Sequence, residues 1–243
     1  MDNASVRRGH TTVHKKWNAN TAILSGDSML VMAYRYIAEC DAGKLKQVLD
    51  LFTVTALEIG EGQQYDMDFE TRSDVSEDEY IEMIRLKTSV LLACALKIGA
   101  ILGGAPDADA DNLYRFGEMI GLAFQLQDDY LDVYGDPKVF GKAIGGDILC
   151  NKKTFMLINA FGRADNETRA ELERWINGSG HNPQEKIAAV TAIYNRLGID
   201  RLAEAKIREC FNAGRDYLSK LGVPEERLRE LVAYTDNMMK RKY

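Results

Sequence analysis

Prolines, cysteines and strand-like patterns are scarce in this chain, and each scarcity excludes a class of protein. Only four prolines occur in 243 residues, and alternating polar and apolar positions are rare, which disfavours a β-rich fold. The four cysteines, Cys40, Cys94, Cys150 and Cys210, form no C-x-x-C pair and have no histidine cluster nearby. We therefore expect reduced thiols, and neither a disulfide framework nor a zinc site.

A strong charge bias and a targeting segment are also missing. The net charge is −6, with both signs mixed along the chain, which argues against nucleic acid or an anionic membrane as the main partner. No signal-peptide pattern opens the sequence, and the apolar runs look too short or too interrupted to span a bilayer. We expect a soluble, cytoplasmic protein without stable membrane insertion.

What the sequence does contain is helical periodicity. Apolar residues recur at helical spacing along most of the chain, which predicts helices at about 20–39, 44–64, 76–102, 117–134 and 152–161, followed by four shorter ones. Ser76 and Glu79 form a capping box at the start of the third helix. One all-α domain of packed helices, spanning residues 1–243, accounts for this pattern.

Three carboxylates lie near the end of the fourth predicted helix, in the sequence F-Q-L-Q-D-D-Y-L-D at residues 124–132. Asp128 and Asp132 share one helix face, and Gln125 lies one turn earlier on the same stripe. Acidic groups late in a helix oppose its dipole, so the cluster is unfavourable unless a cation offsets it. Oxygen ligands suit magnesium, which also shares phosphate oxygens with a substrate. A lone D-D-x-x-D is more often a solvated helix end, so the interpretation depends on which other motifs accompany it in the sequence.

Basic and polar residues stand where an anion site would need them. Lys87 and Thr88 interrupt an apolar helix, so the lysine either extends to solvent or binds a phosphate. Arg7 and Arg8 offer guanidinium groups that grip phosphate through paired hydrogen bonds, although paired arginines near a terminus are usually solvated. Each signal is weak when taken alone.

A glycine-rich stretch, residues 135–146, follows the acidic helix. Its backbone amides can approach a ligand closely, and Lys142 and Lys152 supply charge at its borders. It is not a nucleotide-binding P-loop, because five residues separate the glycines and Ala143 replaces the metal-binding Ser or Thr. A further polar cluster with Gln63 and Asp66 ends the second helix, where an ordinary helix end is the simpler interpretation.

Taken together and in this order, the segments resemble the polyprenyl synthetase family, the trans-type polyprenyl diphosphate synthases. F-Q-L-Q-D-D-Y-L-D, G-K-A-I-G-G-D-I and N-K-K-T-F are similar to the second aspartate-rich region of that family. L-K-T-S at 86–89 and G-Q-Q-Y-D-M-D-F-E at 62–70 resemble two further family segments. The resemblance implies an isoprenoid-synthase-type bundle of helices around a central apolar cavity.

The beginning of the chain departs from the family pattern. Residues 1–17, M-D-N-A-S-V-R-R-G-H-T-T-V-H-K-K-W, resemble a stretch that starts inside the first aspartate-rich motif. Only the final aspartate of that motif, Asp2, is present, and the helices that normally precede it are missing. We therefore expect a bundle that is incomplete at its N-terminus, either a fragment of a larger synthase or, less favoured, a naturally shortened chain. In the family, residues upstream of that motif set the product length, which is left open.

The resemblance also implies a reaction and a set of residue roles. Isopentenyl diphosphate would condense with an allylic prenyl diphosphate after magnesium-assisted ionisation of the latter, in a protein that forms homodimers. The implied magnesium ligands are Asp2, Asp128 and Asp132, and the implied catalytic residues are Asp128, Asp129, Asp132, Lys87 and Lys142. Arg8 would contact isopentenyl diphosphate. The allylic diphosphate would be bound by Arg7, Lys87, Gln125, Lys142 and Lys152, with Thr88, Gln63 and Asp66 in support.

Two other functions stay open. The first is a non-catalytic subunit that pairs with an active synthase, which the missing first motif favours and the intact second motif disfavours. The second is an ionisation-dependent cyclase of the same fold, although Arg8, Lys142 and Lys152 suit condensation better. A helical bundle without any ligand would require every motif to be a coincidence.

Overall fold

The computed structural model describes residues 4–7, 9–136 and 144–239, and confirms an all-α architecture. A short antiparallel hairpin comes first, in which Val6 pairs with Thr11 and Arg7 with His10. The strands are β1 (Val6–Arg7) and β2 (His10–Thr11). The helices are α1 (Val13–Lys16), α2 (Ala19–Ile37), α3 (Ala42–Phe69), α4 (Glu77–Ile84), α5 (Val90–Gly103), α6 (Asp107–Tyr134), α7 (Gly146–Leu149), α8 (Phe155–Arg163), α9 (Asn166–Asn177), α10 (Pro183–Leu197), α11 (Ile199–Leu218) and α12 (Glu225–Met239).

The structure differs from the prediction at several helix ends and at the start of the chain. The acidic helix α6 begins at Asp107 and not at residue 117, because its polar first turns hide the apolar period that reveals the rest. Helix α8 begins at Phe155, where the Thr154 side chain caps it, so Lys152 lies in a loop. The hairpin at the start of the chain was not predicted, since two-residue strands are too short to show alternation.

The third predicted helix is two α-helices joined by a π-helix, Arg85–Ser89. Its predicted capping box is present: the Ser76 hydroxyl accepts from the Glu79 amide, and the Glu79 carboxylate accepts from the Ser76 amide. By length and composition alone, Glu77–Gly103 could cross a membrane, which contradicts the expectation that all apolar runs are too short or too interrupted to do so. The helix instead packs between α3 and α6, as the core helix of a soluble protein also would.

Helix α6 is the centre of the bundle, in contact with α5 on one side and α11 on the other. Two glycines let it approach the preceding helix closely. A Cβ atom on Gly121 would lie 2.5 Å from the Ser89 Cα, and one on Gly117 would lie 2.7 Å from the Ala93 Cα. Gly62 of α3 similarly faces the Lys87 backbone with no room for a side chain. The π-helix is therefore held between glycines of α3 and α6.

The largest core cluster lies on the other side of α6, where α4, α8 and α11 pack against it and α10 packs on α8 and α11. Its fully buried members include Tyr80, Leu126, Phe155, Tyr194 and Ile199. This core fixes the acidic end of α6 against α4 and places the loop between α7 and α8 next to it.

Helix α2 contrasts with the rest, because none of its 19 residues is buried. Seven of its large apolar side chains are exposed: Ile23, Leu24, Met29, Leu30, Val31, Met32 and Tyr36. Exposed apolar surfaces of this kind occur at protein–protein contacts, membrane contacts and ligand-binding grooves.

Candidate active site

The π-helix presents two of the predicted substrate residues to neighbouring helices. Lys87 Nζ donates to Asp66 Oδ2 of α3 at 2.6 Å, and Thr88 Oγ1 donates to Gln125 Oε1 of α6 at 3.2 Å. Gln63 is half-buried one turn before Asp66 on the same helix. Since adjacent residues of a helix point in directions about 100° apart, Lys87 and Thr88 can each reach a different partner helix.

A buried chain of hydrogen bonds continues from Thr88 into the core. Gln125 Nε2 donates to Asp129 Oδ1 at 3.1 Å, and the hydroxyl of Tyr80 donates to the other oxygen of the same carboxylate. Asp129 is 2% exposed, and burial raises its pKa while the bonds from Tyr80 and Gln125 oppose that rise. The middle acid of the motif therefore faces the protein interior and not the stripe of Asp128 and Asp132.

Asp132 is hydrogen-bonded to the backbone of residues 145–147, at the start of α7. Its Oδ2 accepts from the backbone N–H of Asp147 at 2.9 Å, and its backbone carbonyl accepts from the Gly145 N–H at 2.6 Å. Gly145 has φ of +80°, a conformation that favours glycine. Burial raises the pKa of Asp132, and bonds from the backbone of these residues lower it in part.

Lys152 lies among these acidic residues and contributes a positive charge to the cluster. Its Nζ is 3.7 Å from Asp147 Oδ1, and its backbone N–H donates to the Asp147 carbonyl at 2.9 Å. Burial alone would lower the pKa of Lys152, but the attraction of Asp129, Asp147, Asp66 and Asp128 outweighs it and the pKa rises. At neutral pH the lysine is therefore protonated.

Among the described residues, the carboxylates of Asp128, Asp129, Asp132 and Asp147 all lie near enough to Lys152 to feel its charge. Burial raises the pKa of Asp147 to about 7, and repulsion from Asp129, Asp132 and Asp128 adds to the rise against the pull of Lys152. Asp128 is half-buried on the same face as Asp132. Such a cluster is stabilised by any cation or cationic complex that enters it.

The donor set fits magnesium, provided that water and phosphate complete the coordination. Among the described residues, no three acidic, cysteine or histidine side chains converge as a ligand group by themselves. Magnesium usually takes one or two carboxylates and keeps waters and phosphate oxygens as its other ligands. Asp128 and Asp132 are two such carboxylates, so the described residues can contribute to a site without forming a closed one.

The remaining predicted site residues lie apart or outside the described part of the chain. Arg7 is exposed on β1. Asp2, Arg8 and Lys142 fall outside the described residues, so their predicted roles stay predictions. The sequence also gave no role to Tyr80 and Asp147. Asp147 stands in the quoted segment G-G-D-I, whereas Tyr80 looks like an ordinary apolar position of a core helix.

Comparison with known proteins identifies the family of this fold and site. The family model described as polyprenyl synthetase matches residues 1–194. A geranylgeranyl diphosphate synthase of Methanosarcina mazei is 39% identical over 250 residues, which cover 100% of this chain and 73% of that protein.

Solved structures agree with that match. A crystal structure of a geranylgeranyl pyrophosphate synthase, 42% identical, superposes with a TM-score of 0.93 and covers 100% of this chain and 75% of its own. A geranylgeranyl pyrophosphate synthase from Corynebacterium glutamicum, complexed with isoprenyl diphosphate and magnesium, is 29% identical with a TM-score of 0.87, covering 99% of this chain and 73% of its own. The chain therefore belongs to the polyprenyl synthetase family of prenyltransferases.

Proposed function

We propose that this chain takes part in the condensation of isopentenyl diphosphate with an allylic prenyl diphosphate, with magnesium assisting the ionisation of the allylic substrate. The observation that carries the proposal is the half-buried group of Asp128, Asp132 and Asp147 around Lys152, with Gln125 one turn earlier on α6 and Lys87 on the neighbouring π-helix. Two similar proteins are named geranylgeranyl diphosphate synthases, and a third was crystallised with isoprenyl diphosphate and magnesium.

Asp128 and Asp132 would hold the metal ion, together with Asp2 if its predicted role is correct. A bound magnesium ion supplies neutralising charge to the pyrophosphate group as the carbon–oxygen bond breaks. The raised pKa values of Asp132 and Asp147 support this assignment, because buried carboxylates that resist ionisation gain from a nearby cation.

The protein's own side chains bind and orient the diphosphate. Lys152 is held protonated by its acidic neighbours, and Lys87 is paired with the Asp66 carboxylate. Both ammonium groups can donate to phosphate oxygens in which negative charge grows as the bond breaks. Gln125 adds an amide on the same stripe as Asp128. No side chain is needed as the base, since the departing pyrophosphate can accept the proton.

Turnover with labelled isopentenyl diphosphate and an allylic primer tests the proposal. Lys152→Met should lower kcat/KM for the allylic substrate about 100-fold, since a charged contact to the leaving group is lost. Lys153→Met is the matched control, because that lysine donates to the Asn151 carbonyl at 3.3 Å and should change kcat/KM less than about threefold. Equal losses in the two variants would contradict the role of Lys152.

The alternative of a non-catalytic subunit makes a different prediction for the same assay. A chain of that kind would show no product alone, with or without magnesium, and would change the turnover of an added synthase partner. Product formation by the purified chain, lost on chelation and restored by magnesium, favours the catalytic function.

We also propose that the chain pairs with a second copy through α2. Asp27 and Arg35 are the charged residues of this otherwise apolar and small-residue helix, and each lies four residues from the exposed Val31. In an antiparallel pair whose two-fold axis passes near Val31, Asp27 of each copy would meet Arg35 of the other. The apolar side chains beside them would be removed from water.

Charge reversal tests the pairing. Asp27→Arg alone should shift the sedimentation of the purified chain toward the monomer, because like charges then face each other across the axis. Asp27→Arg combined with Arg35→Asp should restore the dimer, since the opposite charges are exchanged but still matched. A wild-type chain that sediments as a monomer at micromolar concentration would contradict the proposal.

A further inference from the structure

A buried tyrosine stands at the inner end of the hydrogen-bond chain that reaches the site. The Tyr80 side chain is 1% exposed in the core between α4 and α6, and its hydroxyl donates to the Asp129 carboxylate. Burial and the negative charge of Asp129 raise the pKa of Tyr80 well above its usual value. The hydroxyl therefore keeps its proton at neutral pH and remains a donor.

In this series of hydrogen bonds, each group's role as donor or acceptor determines the role of the next group. The Asp129 carboxylate accepts from Tyr80 on one oxygen and from the Gln125 NH₂ group on the other, so the NH₂ side of the amide faces Asp129. The amide oxygen then faces Thr88, whose hydroxyl donates to it at 3.2 Å. Tyr80 thus holds Asp129 in place, and Asp129 determines which way Gln125 and Thr88 point.

A buried network of hydrogen bonds in this position has no evident structural benefit. Replacing a buried polar pair by apolar residues of similar volume is often neutral or stabilising. Tyr80 nevertheless keeps a hydroxyl in the largest core cluster, and Asp129 keeps a carboxylate at 2% exposure. The chain leads from this core to Thr88 and Gln125, which border the residues proposed to bind the diphosphate.

We propose that Tyr80 is a positioning residue of the prenyl-transfer site, which acts through Asp129 to hold the Gln125 amide so that its second N–H donates to the allylic diphosphate. The inference rests on the proposed function, because it assigns a purpose to that orientation. It predicts that Tyr80 affects the binding of one substrate and leaves the other unaffected.

Steady-state kinetics of Tyr80→Phe provide the first test. The allylic KM should rise about tenfold, because the Gln125 amide loses its fixed direction, while the KM for isopentenyl diphosphate and kcat stay within about threefold. Tyr134→Phe is the matched control: it removes a tyrosine hydroxyl of α6 that donates to Asn195 Oδ1 at 2.9 Å, and it should leave both KM values unchanged. A change confined to the melting temperature would overturn the proposal.

Calorimetric binding of inorganic pyrophosphate with magnesium provides a second test that does not need turnover. Tyr80→Phe and the isosteric Asp129→Asn should each weaken binding by about fivefold to tenfold. The double variant should bind no more weakly than the weaker single variant, because both changes break the same chain. Additive losses, or pyrophosphate binding equal to wild type in both single variants, would overturn the role of Tyr80. If Tyr80→Phe does not fold, Asp129→Asn alone decides.

The two proposals fail in distinguishable ways. Wild-type turnover with unchanged binding in Tyr80→Phe and Asp129→Asn would leave the proposed function standing and remove the positioning role. Pyrophosphate binding that depends on Tyr80, without any prenyl transfer by the wild type, would do the reverse. A wild-type chain that binds no pyrophosphate would overturn both.

Discussion

Helices α6 and α2 follow the same helical pattern of apolar residues, but they differ in how much of each helix is buried in the fold. Thirteen residues of α6 are buried, including Glu118, Gln127 and Asp129. None of the residues of α2 is buried, although it carries seven large exposed apolar side chains. Periodicity reports that a helix has an apolar face, whereas burial depends on which other helices lie against that face.

The difference separates the two proposed roles of the chain. Helix α6 is surrounded by its own chain, so polar groups within it must be satisfied there, and they form the ordered network of the site. Helix α2 can satisfy its apolar groups only by meeting something else. Changes in α6 should therefore alter chemistry and folding of the single chain, whereas changes in α2 should alter assembly.

The largest expected effect is at the acidic end of α6. Asp128→Asn removes a proposed magnesium ligand without changing the shape of the side chain, and should lower kcat/KM by about 100-fold to 1,000-fold. Asp107→Asn, in the first turn of the same helix, is the control and should leave turnover unchanged. Steady-state assays at several magnesium concentrations measure both. Near-normal turnover of Asp128→Asn would contradict a metal-binding role for this residue.

The sequence predicted the all-α fold and most of its helices, and it singled out residues that the structure brings together. The capping box of Ser76 and Glu79 was predicted and is present, because the signal is local and has a defined spacing. Lys87, Thr88 and Gln125 were each assigned to the site, and the structure places Thr88 against Gln125. The family resemblance, which depends on several motifs in order, is confirmed by the match over residues 1–194.

The sequence was insufficient where the outcome depends on long-range packing. Tyr80 meets Asp129 across 49 positions of sequence, and no local pattern marks such a pair. The π-helix at Arg85–Ser89 depends on the close approach of Gly62 and Gly121 from two other helices. Asp129 was grouped with its two neighbouring aspartates because the motif is linear, whereas on the helix it points about 100° away from Asp128.

Glycine replacement gives the second prediction and compares the two helices directly. Gly121→Ala should destabilise the fold by about 1–3 kcal/mol, because its Cβ atom would lie 2.5 Å from the Ser89 Cα and force α6 away from the π-helix. Gly26→Ala in α2 meets nothing within 4 Å and should be neutral or stabilising by up to about 1 kcal/mol. Urea unfolding at a fixed low protein concentration measures both. Equal destabilisation of the two variants would remove the packing distinction between the helices.

The smallest expected effect concerns the caps that begin α4 and α2. Ser76→Ala removes an oxygen that accepts from the Glu79 amide at 3.2 Å, and it should lower the free energy of global unfolding by about 1 kcal/mol, because α4 is packed in the core. Asn18→Ala removes an oxygen that accepts from the Thr21 amide at 2.8 Å, but the helix it caps has no buried residue. In a monomeric preparation α2 should open locally, so amide hydrogen exchange rises in residues 19–22 while the unfolding free energy stays within about 0.5 kcal/mol. If Asn18→Ala instead lowers global stability as much as Ser76→Ala, then α2 unfolds together with the core and is not an independently opening, partner-dependent element.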